Sequence, residues 1–148
     1  MSRNNEQKKQ YLEKINDKSA FENKNSGNIV FNFKFFRSGE KCGESFQEWQ
    51  DKGILAHLNN KLKDFSNLKK IELIVNETLE IYGSYPNDSE FEQPEDLKNY
   101  DISWARFRLD GKKRLIGFFY SNKEFSNVFY VVYLDEKHRF APSHLKHT

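Results

Sequence analysis

The stretch ISWARFRLDGKKRLIGFFYSNKEFSNVFYVVYLDEKHRF, residues Ile102 to Phe140, decides the fold, because β-branched and aromatic residues are concentrated there in three consecutive runs. Such residues suit a pleated, half-buried surface. The first run, Ile102 to Leu109, ends at Asp110-Gly111, and two residues that tolerate positive φ between alternating runs predict a tight hairpin turn. The second run is Arg114 to Tyr120. The polar loop SNKEFSN then leads to the third, Val128 to Leu134. Together they predict a three-stranded antiparallel meander with the third run as its central strand.

Side chains alternate across a strand. Trp104, Arg106 and Arg108 therefore share one face of the first strand, and Ala105, Phe107 and Leu109 the other. In the third strand both sets, Val128, Tyr130, Val132, Leu134 and Phe129, Val131, Tyr133, are apolar or aromatic. That strand is expected to be covered on both sides or to line an aromatic groove. Lys112, Lys113 and Arg114 cluster at the hairpin, and His138-Arg139 follows the third strand.

At 148 residues the chain is long enough for one ordinary domain with a real core. Hydrophobic content is only 36%, so the 16% of aromatic residues, including fourteen Phe, must build much of that core. The single cysteine, Cys42, rules out an intramolecular disulfide and a cysteine-rich zinc site. No apolar run approaches 18 residues and no signal-like segment follows Met1, so the expectation is a soluble, cytoplasmic protein without a membrane partner. Net charge is +2, but it is unevenly placed. Residues 106–148 carry nine Lys or Arg against four acids, whereas 76–101 carry one Lys against eight acids. A basic sheet region behind an acidic loop points to an anionic partner.

Residues 1–27 read as a loosely ordered polar arm, with at most a short helix between Asn5 and Lys18. Residues 28–140 read as a single α+β domain, and 141–148 as a C-terminal tail. Ile29 to Phe36 alternates as a strand with Ile29, Phe31, Phe33 and Phe35 on its core face. Ser45 with Glu48 is a capping-box signature. Phe46 and Trp49 follow it, Gly53 breaks the helix, and Leu55, Leu58, Leu62 and Phe65 mark a second amphipathic helix. Leu68 to Val75 is read as helix, although IELIV also passes as a strand. Residues 76–101, with Gly83, Pro86 and Pro94 among acids, are read as a long irregular connection. The expected architecture is an antiparallel-rich sheet of order β-α-α-β-β-β with helices packed on one face.

This order with a basic C-terminal meander resembles the RelE-like bacterial toxins, small ribosome-associated endoribonucleases paired with antitoxins. More closely, KKRLIGFFYSN and NVFYVVYLDEKHRFAPS resemble an uncharacterised group of small bacterial and phage proteins often grouped with those toxins. The likeness covers roughly the last third of the chain, with SFQEW and LNNKLKDFS as weaker support. The resemblance implies an mRNA interferase acting by 2′-OH attack, with RNA or the ribosome and a protein antitoxin as partners. It places Arg108 or Arg106, together with Arg139, on the scissile phosphate and His138 as acid or base. Arg106, Lys112, Lys113, Arg114, Tyr130, His144 and Lys146 are then the expected RNA contacts. Each residue has a plainer reading: His138 as a histidine closing a strand, the lysines as a solvated turn, the aromatics as core. The alternative function is a non-catalytic RNA- or protein-binding module from a phage or mobile element. No phosphate loop, nucleophile elbow or His-Glu-x-x-His helix is present, and His138, His144 and His147 match no standard metal spacing, so no cofactor or metal is expected.

Overall fold

The computed structural model describes residues 5–10, 27–121 and 127–143. Its elements are β1 (Val30–Asn32), α1 (Phe46–Asp51), α2 (Leu55–Ser66), α3 (Lys70–Val75), β2 (Leu79–Gly83), a short 3-10 turn (Glu95–Leu97), β3 (Ile102–Arg108), β4 (Arg114–Tyr120) and β5 (Val128–Asp135). Residues 5–10 are helical and exposed. The rest of the expected N-terminal arm through residue 26, the loop 122–126 and the tail from residue 144 lie outside the described residues.

The chain is α+β, with one open five-stranded sheet of order β1-β5-β4-β3-β2. The meander β3-β4-β5 pairs antiparallel as expected, but its central strand is β4, not β5. The middle run of a meander pairs with both of its neighbours, and two further strands extend the sheet at either side. β1 pairs with β5 in parallel, Phe31 standing beside Phe129. β2, inside the stretch expected to be irregular, pairs antiparallel with β3 and makes the element order richer than β-α-α-β-β-β. The reason β2 forms is local: Leu79, Glu80, Ile81 and Tyr82 alternate apolar and polar, and the left-handed Gly83 (φ 83°) ends the run.

β1 is shorter than expected. The Asn32 side chain accepts a hydrogen bond from the Lys34 backbone N–H (2.8 Å), an Asx-type turn that competes with the ladder and ends the strand. Phe33 and Phe36 then pack on Phe46, while Phe35 crosses to the other side of the sheet against Phe118 and Tyr130. The expected single core face of Ile29, Phe31, Phe33 and Phe35 is therefore divided.

The helices lie as the sequence predicts. Ser45 Oγ accepts from Glu48 N–H and Glu48 Oε1 accepts from Ser45 N–H, both at 3.1 Å. At the other end of α1 the left-handed Gly53 permits a two-bond cap, Gly53 N–H to Gln50 C=O (2.9 Å) and Ile54 N–H to Trp49 C=O (3.0 Å). Trp49, Leu58, Phe65 and Leu73 from α1 to α3 pack with Phe107, Leu115, Phe119, Phe129 and Val131 in the first core layer.

The opposite face is covered too, and not by helices. Tyr85, Phe91 and Leu97 from the acidic stretch and Phe140 and Ala141 from the end of the chain cover Trp104, Ile116, Phe118, Val132 and Tyr133. Residues 76–101 are thus a packed layer. Tyr133 Oη donates to Glu92 C=O (3.2 Å), which ties that layer to β5. A register shift between Ile116 and Gly117 places an extra residue in β5, because Ile116 pairs with Tyr133 and Gly117 with Val131. Beyond the bulge Leu134 joins the helix side with Phe129 and Val131, instead of sharing a face with Val132.

Candidate functional site

Antiparallel pairing puts the C-terminal end of β3, the start of β4 and the end of β5 at the same end of the sheet. On the non-helical face Arg108 stands directly opposite Arg114, and Arg114 stands opposite Asp135. One step down the ladder Arg106 pairs with Glu80 of β2. Five charged residues meet here, three of them arginine.

Arg106 is buried and well held. It donates to Thr78 C=O (2.9 Å), Glu77 C=O (3.1 Å) and Glu80 Oε2 (2.8 Å). Arg114 is equally buried and donates to Gly111 C=O and Lys113 C=O, both at 2.9 Å. Burial, and then the charges of Arg106 and Arg108, push the Arg114 guanidinium down to about 10. Burial raises the neighbouring Tyr82 hydroxyl to about 12, an effect that Arg106 partly offsets. The Nε groups of Arg106, Arg108 and Arg114 are all buried without a hydrogen-bond acceptor among the described residues. Like charges directly opposite one another destabilise a sheet. The pair Arg108–Arg114 is such a contact; Asp135 acts on Arg114 only through its field, since its oxygens accept the backbone N–H groups of Arg139 (2.9 Å) and Phe140 (2.8 Å).

Arg108 is the accessible member. It lines a cleft of about 410 Å³ with Arg106, Glu77, Leu79, Glu80, Ile81 and Ile74. A half-buried guanidinium with no carboxylate paired to it among the described residues, backed by two further arginines, is suited to take an anion with planar or tetrahedral oxygens.

The other expected residues lie elsewhere. Arg139 pairs with Glu90 (3.5 Å), sits over the Phe91 ring and lines a separate cleft with Glu40, Glu44, Glu48, Lys52 and Glu136. His138 is buried, holds a left-handed conformation (φ 60°) in the turn that Asp135 caps, and lines neither cleft. Arg108, His138 and Arg139 are therefore not brought to one phosphate-sized site. Tyr130 packs among Phe35, Phe118 and Tyr120 at the far end of β5, and Trp104 and Tyr133 are core residues. Lys112 is exposed on the hairpin, and Lys113 turns to the helix side, where it lines a 180 Å³ pocket with His57, Lys61 and Trp49. The hairpin itself is a four-residue turn, Lys113 N–H to Asp110 C=O at 3.2 Å, with the left-handed Gly111 inside it. His144 and Lys146 lie outside the described residues.

Glu80 and Tyr82 were not expected at the site, because their strand was not recognised. The signal was the short alternation LEIYG. Among the described residues no group of three His, Cys, Asp or Glu is placed to hold a metal ion, and no helix is long and apolar enough to cross a membrane. No protein-family model, curated protein or solved structure matches the chain.

Proposed function

We propose that the protein is a non-catalytic RNA-binding module that engages backbone phosphate through Arg108, with Arg106 and Arg114 supplying field from behind. The observation that carries this reading is Arg108, which lines an open cleft while standing directly opposite the buried Arg114. A phosphate at the accessible Arg108 guanidinium offsets the repulsion between it and the buried Arg114 behind it. The resemblance of the last third of the chain to small bacterial and phage proteins often grouped with RelE-like toxins supports RNA as the polyanion. The ribonuclease reading is weaker because the acid or base His138 and the second arginine Arg139 do not face Arg108 across a shared cleft.

The test is fluorescence anisotropy with a short single-stranded RNA over a salt series, with gel analysis of the same RNA. Binding that weakens with salt by a log-log slope of about 0.7 for each phosphate neutralised is expected. Arg108→Ala should weaken it and flatten the slope by about one such increment. Absence of binding at low salt overturns the RNA reading. Cleavage that His138→Ala abolishes restores the nuclease.

A further inference from the structure

A second cleft lies along the same pair of strands as the arginine cleft. Residues 79–81 with Arg106 and Arg108 line the first, and Gly83 and Ser84 with residues 102–104 line the second. Because β2 and β3 pair antiparallel, the two clefts follow one another along the sheet. Ser103 and Arg108 are five residues apart on β3. That is about 17 Å of strand.

The second cleft measures about 430 Å³, within the range of sites that hold small organic groups. Its lining has one lysine, Lys98, against one aspartate, Asp101, and so carries no net charge. Its other polar side chains are hydroxyls and an amide, Ser84, Gln93, Ser103 and Ser121. A neutral lining that both donates and accepts hydrogen bonds suits an uncharged polar edge better than a phosphate. Tyr100 stands at this cleft and is 46% exposed. Its backbone N–H bonds Leu97 C=O (3.3 Å), and its ring meets Phe35 at a tilt of 57° and Tyr120 nearly edge-on at 76°. Two aromatic neighbours thus hold the ring in place, and neither is stacked parallel on its face.

We propose that Tyr100 is a stacking platform for an unpaired base of bound RNA, and that the cleft beside it takes the edge of that base. The inference rests on the reading of Arg108 as a phosphate contact and extends it to the part of the RNA that a phosphate contact does not reach. Unpaired bases stack on aromatic side chains and offer their edges for hydrogen bonding. The division of charge agrees with this: the arginine cleft meets phosphate, and the neutral cleft meets the base. At the stacked spacing of about 3.4 Å per nucleotide, the two sites are about five nucleotides apart, so one short single strand reaches both.

The experiment is fluorescence anisotropy of the full chain with a single-stranded RNA of about six nucleotides and with the same ribose–phosphate chain lacking its bases, with circular dichroism as the check on folding. The base-bearing RNA should bind about fivefold or more tightly than the abasic one. Tyr100→Ala should remove that preference and leave the salt slope unchanged, and Tyr100→Phe, which keeps the ring, should retain it. Arg108→Ala should flatten the slope and leave the preference intact. Equal binding of the two RNAs, or a preference that survives in folded Tyr100→Ala, overturns the base site while the phosphate site stands. If neither RNA binds at low salt, the phosphate reading fails, and adenosine and uridine alone decide the base site through the amide resonances of Ser103 and Ser121. Shifts that Tyr100→Ala abolishes support it; no shift up to about 10 mM nucleoside overturns it.

Discussion

Arg114 and Asp135 stand directly opposite each other on β4 and β5, yet each hydrogen-bonds to backbone instead of to the other. Arg114 holds the β3–β4 hairpin and Asp135 caps the turn after β5. The end of the sheet is thus framed by two charged side chains committed to loop geometry, which leaves Arg108 as the group facing the cleft. The same commitment makes Asp135 an acid with an unusual titration.

Burial raises the Asp135 carboxyl from 3.8 to about 6, against the lowering effect of the Arg139 and Phe140 N–H groups. A folded-state value above the unfolded one means that the fold favours the protonated acid. The contribution of this residue is fully present below about pH 4 and is lost as pH rises to about 6. Wild type should therefore lose stability relative to Asp135→Asn across that window, by on the order of 3 kcal/mol. Urea unfolding of both proteins from pH 4 to 7 measures it; a constant difference, or one of opposite sign, rejects this account.

Gly117 lies where β4 meets the bulge of β5, and a Cβ built on it would be 2.0 Å from Tyr130 C=O and 2.8 Å from the Phe129 ring. Neither neighbour can yield, since one is backbone in the sheet and the other a fully buried ring. Gly117→Ala should destabilise the protein by about 3 kcal/mol or leave it insoluble, an overpacking effect. A loss under about 1 kcal/mol in urea would mean that the strands approach less closely than this.

Phe129 is fully buried and packs edge-on against Phe107 (4.8 Å) and at a tilt to Phe119 (5.2 Å). Phe129→Ala should cost about 3 to 5 kcal/mol. Phe33→Ala, at a ring 39% exposed, should cost far less. Equal losses for the two would contradict the placement of the first core layer.

Glu80 bonds Arg106 at 2.8 Å on the rim of the arginine cleft. If RNA phosphate binds there, Glu80→Gln removes a competing charge from the same field. Affinity should rise several-fold at low salt and the gain should shrink as salt screens it. Unchanged anisotropy titrations for Glu80→Gln would place the bound RNA away from this cleft.

Local rules carried much of the architecture. Alternation in Ile102 to Leu109 sorted Phe107 and Arg106 onto opposite faces, and the structure keeps them there. Ser45, Glu48 and Gly53 delimit α1 through bonds that span three to five residues, so their consequences are visible in the sequence itself. The same period of two puts Phe129 and Val131 on one face of β5, and the structure shows that this face meets the helices.

What escaped depended on partners distant along the chain. Both phases of β5 are apolar, so nothing in its own residues signals the slip that moves Leu134 to the other face; Gly117 on the neighbouring strand admits it. Residues 76–101 read as acidic and irregular because their few apolar members, Tyr85, Phe91 and Leu97, have no period. They are ordered by burial against Trp104 and Tyr133. The candidate site is likewise a tertiary product. The sequence alone made Arg106, Arg108 and Arg114 neighbours on a hairpin, but register set Arg108 against Arg114, and the pairing of β2 with β3 brought Glu80 to Arg106. Propensity and periodicity act over a few residues, whereas burial and charge act through space, and only the folded sheet determines which of the chain's charges share a cleft.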